Sequence, residues 1–157
     1  MRREKKGFTL IELLVVIAII GILATIVLVS LNSARQKARD TRRISDMRQV
    51  ALALEMYYDD AKSYPAVAAA STCSAANWTT MTGLLQPNYM TAVPADPSVA
   101  NNYWYGVGTD NTAPQKYVLR TALEKHNIAN DTDVDGSPFN CTCGTQGAAE
   151  VDYCIQP

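Results

Sequence analysis

Polar and apolar positions divide this chain into three kinds of pattern. From Leu13 to Leu31 an apolar run is interrupted only by Gly21, Thr25 and Ser30. As a helix it spans about 28 Å, enough to cross the hydrocarbon core of a bilayer. Beyond it, Ile44, Met47, Ala51, Leu54 and Tyr58 recur at spacings of three and four, one face of an amphipathic helix. No proline occurs before Pro65, so the two patterns read as one helix from about Phe8 to about Asp60. Its first half is apolar all round. Its second half should pack on a globular head.

Tyr64-Pro65 ends that helix, because a residue before proline is pushed towards extended geometry. Ala66 to Asn102 reads as a long connecting region, punctuated by Pro87, Pro94 and Pro97 and pinned to the core by Trp78, Leu84, Leu85 and Tyr89. Three strand candidates follow. Tyr103, Tyr105 and Val107 alternate with Trp104 and Gly106; Lys116 to Leu123 is rich in β-formers; Val151, Tyr153 and Ile155 alternate with Asp152 and Cys154. The first two flank Gly108 to Gln115, which makes an antiparallel hairpin the simplest link. The expected fold class is α+β: a long N-terminal helix packed on a small antiparallel β-sheet head. Its divisions are 1–7, a basic leader; 8–31, the membrane-spanning half of the helix; 32–62, the amphipathic half; and 63–157, the head with its cysteine-containing C-terminal region.

Charge adds direction. The formal net charge is −1, but Arg2, Arg3, Lys5 and Lys6 against Glu4 put +3 on the first seven residues. Basic residues before an apolar span keep the N-terminus in the cytoplasm and send the remainder outward. A cleaved secretory signal competes with this reading. No small-x-small site directly follows the apolar run, which is also long for such a signal, so the anchor is expected to be retained. Without its first seven residues the chain holds 10 basic and 14 acidic residues, a balance that argues against a nucleic-acid module built on overall charge. Arg35, Lys37, Arg39, Arg42, Arg43 and Arg48 form a basic collar, read as a solvated, membrane-proximal face rather than a DNA contact.

All four cysteines, Cys73, Cys141, Cys143 and Cys154, lie in the exported part, and an even count there points to disulfides. Pairing Cys141 with Cys143 across one residue strains bridge geometry. Cys154 then bonds one member of that pair and Cys73 the other. A zinc site is the alternative, against which stand the spacing and a single His, His126.

The feature demanding most explanation is Glu12, a carboxylate inside the apolar helix. Such an acid costs ~2.5–3.5 kcal/mol at mid-bilayer on insertion scales, so it needs a partner. It belongs to the stretch Gly7-Phe8-Thr9-Leu10-Ile11-Glu12, which with the following apolar run closely resembles the N-terminus of type IV pilins and type II secretion pseudopilins. A looser likeness continues through Tyr57-Tyr58, Tyr64-Pro65 and Val93-Pro94-Ala95-Asp96-Pro97. The resemblance implies a structural subunit rather than an enzyme, a prepilin assembled into a type IV pilus-like filament, with a pseudopilin of a secretion system as the alternative and a DNA-binding competence pilin behind both. It implies cleavage between Gly7 and Phe8 by a prepilin peptidase, N-methylation of Phe8, and pairing of Glu12 with the Phe8 amine of a neighbouring subunit. A membrane assembly platform and an assembly ATPase are the further partners implied. Within an isolated subunit Glu12 can instead serve its own helix N-terminus. One departure concerns Val29: many family members carry a proline there, eight residues after the equivalent of Gly21.

Asn130-Asp131-Thr132-Asp133-Val134-Asp135-Gly136 places Asp131, Asp133 and Asp135 at alternating positions before a glycine, like the first half of an EF-hand loop. Thr142 stands where that loop needs its glutamate, so the expectation is at most a partial calcium site, otherwise a solvated acidic turn. No cofactor is required by anything else in the sequence.

Overall fold

A computed structural model of the chain describes residues 7–67, 73–98, 103–108, 114–125, 134–143 and 152–157. The chain divides into two compact units, Met1–Gln36 and Lys37–Pro157. Helix α1, Leu10–Ala61, runs through both. Nothing inside it forbids a helix: it has no proline, and its one glycine, Gly21, costs only about 1 kcal/mol. Its end is defined by Lys62, whose φ of 55° breaks the helical path. The Lys62 amide closes the last turn on the Tyr58 carbonyl at 2.8 Å, and its own carbonyl accepts from Gln115 Nε2 at 3.1 Å.

In the second unit, three antiparallel strands form one sheet in the order β1-β2-β3: β1 Tyr103–Val107, β2 Tyr117–Ala122 and β3 Asp152–Ile155. Tyr105 faces Leu119 across the first ladder, and Thr121 faces Tyr153 across the second. The α+β architecture and the three strands agree with the alternation read from the sequence. The stretch read as a connection does not. It contains helix α2, Ala75–Leu85, capped by Ser74, whose hydroxyl accepts from the Asn77 amide at 3.0 Å. Asn77, Met81 and Leu85 are buried at i, i+4, i+8. Threonines and Gly83 make this a poor intrinsic helix, and burial of that face compensates for propensity.

Period-two alternation gives the sheet two different faces. One presents Tyr103, Tyr105, Val107, Tyr117, Leu119 and Tyr153 to a core shared with Met47, Val50 and Leu54 of α1 and with Met81 and Leu85 of α2. The other carries Val118 under a cluster of all four cysteines with Val134 and Phe139. Cys73 is joined to Cys141 and Cys143 to Cys154, with Cα separations of 4.8 and 5.9 Å. Gly106 makes room for the first bridge, since a Cβ there would lie 3.5 Å from Cys141 Sγ and 3.1 Å from Val118 Cγ1. On the same face, the Arg120 guanidinium sits 4.5 Å from the Trp104 ring and bonds Asp152 at 3.0 Å.

Two stability tests follow from this packing. Leu54 is fully buried, so Leu54→Ala should lower unfolding stability by about 2–5 kcal/mol. The buried Thr121 hydroxyl has no hydrogen-bond partner among the described residues, so Thr121→Val should raise stability by about 1 kcal/mol. Denaturant titration of the detergent-solubilised protein, followed by tryptophan fluorescence, measures both.

Candidate functional site

The first described residues build a helix start around an acid. Thr9 immediately precedes α1, and Glu12 is the third residue of the helix. Both the Thr9 amide, at 2.8 Å, and the Thr9 hydroxyl, at 2.7 Å, donate to Glu12 Oε2. The Glu12 amide donates back to Thr9 Oγ1 at 3.3 Å. This is a reciprocal capping box, Thr-x-x-Glu, in which side chains satisfy amides that the helix leaves without partners. The motif was present in Thr9-Leu10-Ile11-Glu12, yet reading Glu12 only through its charge missed Thr9 as its local partner. Glu12 Oε1 makes no hydrogen bond among the described residues.

Beyond this cap, and apart from Thr25 and Ser30, the helix surface as far as Leu31 is apolar. Phe8 is 83% exposed, and the large aliphatic residues from Leu10 to Leu31 are exposed as well. Thr25 returns its hydroxyl to the Ile22 carbonyl at 2.7 Å, which lets a polar side chain occupy an apolar helix. The helix is long and apolar enough to cross a membrane.

Residues 2–28 match the family model described as the prokaryotic N-terminal methylation motif. Over its N-terminal part the chain is similar to type II secretion core proteins and to a type IV pilus component. It is 44% identical over 64 residues to the type II secretion system core protein G of Pseudomonas aeruginosa, a match covering 41% of this chain and 45% of that protein. Against the type IV wide pilus major component PilA4 of Thermus thermophilus it is 48% identical over 62 residues, covering 40% and 47%. The core protein G of Aeromonas hydrophila gives 42% over 64 residues, covering 41% and 45%. The chain thus spans less than half the length of these curated relatives. No solved structure matches it.

In the second unit of the chain, another polar constellation corrects the solvated-collar expectation. Arg43 is 1% exposed. Its guanidinium reaches Asp40 at 2.8 Å, Asp96 at 3.0 Å and Glu124 at 3.2 Å. Arg39 also binds Glu124, through two nitrogens. Asp40 additionally accepts from the amides of Glu124 and Lys125 at 2.9 and 3.1 Å. Arg43 donates to Ser98 Oγ at 3.0 Å as well. The Arg39 bond, aided by Arg43, holds the Glu124 carboxyl below its ordinary value of 4.5. Of the collar, Arg35, Lys37, Arg42 and Arg48 are exposed as expected. A helix-period reading puts Arg on the outside by default, and two of the three acids around Arg43, Asp96 and Glu124, are distant in sequence.

Further along α1, Asp46 accepts from the Tyr103 hydroxyl at 2.7 Å. Glu55 accepts from the hydroxyls of Tyr64, at 3.1 Å, and Tyr117, at 3.3 Å. Burial, followed by the neighbouring Glu55, pushes the Tyr64 hydroxyl up to about 12. Asp131 and Asp133 of the proposed calcium loop lie outside the described residues, as does His126. Asp135 is exposed. Among the described residues, no group of three or more His, Cys, Asp or Glu side chains is placed to hold a metal ion.

Arg43→Met leaves Asp40 and Asp96 buried without their cation and should destabilise the head by about 3–5 kcal/mol in denaturant titration. Glu124 binds its proton more weakly folded than unfolded, so its contribution is full above the unfolded value and is lost as pH falls through the depressed folded one. Glu124→Gln should therefore flatten the acid limb of the stability curve below about pH 5, measured as Tm against pH.

Proposed function

We propose that this chain is made as a prepilin, cut between Gly7 and Phe8 by a prepilin peptidase, N-methylated on Phe8, and assembled as the structural subunit of a type IV pilus-like filament. The observation that carries the reading is the Glu12 carboxylate, capped by Thr9 at the mouth of a helix exposed and apolar on all sides. Gly7 carries no side chain, so the backbone can enter a narrow protease site there. Cutting before Phe8 creates an α-amine, mostly charged at neutral pH with its reference pKa of about 8. That ammonium opposes the positive end of its own helix dipole. Glu12 offsets both, and Oε1 is the oxygen left to receive the amine of a neighbouring copy once lipid is exchanged for other helices. Methylation keeps the amine basic, so the attraction survives it. The pilin enters the cytoplasmic membrane with its N-terminus inside. A membrane assembly platform and a cytoplasmic assembly ATPase then draw it into the fibre.

A second reading is a secretion pseudopilin that forms a short periplasmic fibre. It is favoured by the similarity to type II secretion core protein G from several bacteria. Electron microscopy of sheared surface material separates the two: long surface fibres containing this chain fit a pilus, and their absence together with a secretion defect fits a pseudopilus.

Glu12→Val should leave Phe8 the first residue of the mature protein while reducing fibre yield at least about tenfold, since an unpaired ammonium is then buried. Gly7→Trp should stall maturation. N-terminal sequencing that still finds Phe8 first in the tryptophan variant would place the cut elsewhere.

A further inference from the structure

The second half of α1 has two opposed stripes. Asp40, Arg43, Ile44, Met47, Val50 and Leu54 form the buried one. The other is exposed throughout: Lys37, Arg48, Leu52, Met56 and Asp59, with the short Thr41 and Ser45 between the cations. Leu52 and Met56 are 65% and 49% exposed, although they sit on a helix whose other face is fully packed. Lys37, Arg48 and Asp59 make no side-chain hydrogen bond or ion pair among the described residues. Cations therefore occupy the N-terminal end of the stripe, an acid its C-terminal end, and an apolar pair lies next to the acid.

We propose that this stripe is a docking surface for a second copy of the chain, parallel and displaced along the helix axis, so that Asp59 of one copy meets Lys37 of the next. The proposal rests on the filament reading above and deepens it by naming one inter-subunit contact. A two-fold antiparallel pairing of the same stripe would also match Lys37 with Asp59. It would, however, set Arg48, midway between them, against its own copy, and like charges brought together at an interface repel strongly. The parallel contact joins two different patches, so it does not close on itself and propagates into a helical polymer.

The 22 residues from Lys37 to Asp59 correspond to a displacement of about 33 Å. At that offset Leu52 and Met56 come level with Ser30 and Ala34 of the neighbour, where its apolar run ends and the side chains are short. Charge and apolar surface are satisfied together. Pairing Asp59 with Arg48 instead would bring Leu52 and Met56 level with the hydroxyls of Thr41 and Ser45, a poorer match. The Phe8–Glu12 contact spans only four residues, about 6 Å along the axis, and so belongs to a different neighbour in the same helical array.

Zero-length carbodiimide coupling of native fibres of the full-length mature protein, read by peptide mass spectrometry, tests the contact. Within one helix the Lys37 amine and the Asp59 carboxylate are too far apart to couple, so a Lys37–Asp59 product is intermolecular. It is expected in fibres and not in detergent-dispersed monomer. Asp59→Lys should reduce fibre yield by about tenfold, and adding Lys37→Asp to it should restore both yield and fibre morphology, which a folding defect would not allow. Wild-type fibres that give no such product, or an Asp59→Lys variant that assembles as well as wild type, would overturn this contact while leaving the filament reading intact. If the mature wild-type protein forms no fibres at all, the filament reading fails, and the contact with it.

Discussion

A guanidinium buried among three carboxylates is the constraint on which the head depends. Arg43 carries a full positive charge at a position that the helix has turned inward. An isolated charge there would be prohibitively expensive. Asp40, Asp96 and Glu124 make it tolerable, and in doing so the last two fix two separate parts of the chain to one point of α1. The loop that contains Pro94 and Pro97 is held through Asp96. The end of β2 is held through Glu124 and through the two amides that Asp40 accepts. Apolar packing brings these parts together without direction; the charged bonds set where along the helix they stop.

The same logic recurs down the helix. Asp46 takes the Tyr103 hydroxyl, and Glu55 takes those of Tyr64 and Tyr117. Each tyrosine buries its ring in the core and spends its hydroxyl on an acid of α1, so one residue contributes both burial and register. With Met47, Val50 and Leu54 between them, these acids fix the rotation of the helix as well as its height against the sheet. The opposite sheet face needs no helix, because two disulfides and Phe139 cover Val118.

At the N-terminal end the economy is reversed. Thr9 and Glu12 satisfy one another, while the apolar residues that follow are exposed and satisfy nothing within the chain. A surface of that kind is stable only in lipid or against other apolar helices. The filament reading assigns both environments to the same helix in succession. On that proposal Glu12 makes the exchange selective, since it would favour a neighbour whose new amine can reach it. The proposed contact along the exposed stripe from Lys37 to Asp59 would extend that selectivity past the apolar run.

How much of this was legible depended on whether the signal was local. The apolar run, the amphipathic face from Ile44 to Tyr58, the stop at Tyr64-Pro65 and the three alternating strands are short-range patterns, and the sequence by itself determined them. The family signature, Gly7 to Glu12, is equally local. Helix α2 was signalled only by Ser74 and the spacing of Asn77, Met81 and Leu85, too weak against its threonines and Gly83. Which cysteine of the close pair Cys73 takes, and that Arg43 lies inside rather than on a solvated collar, were decided only by the tertiary structure. Both rest on groups 53 to 85 residues apart, and nothing in a charge's immediate neighbourhood tells whether its distant counter-charge will be folded against it.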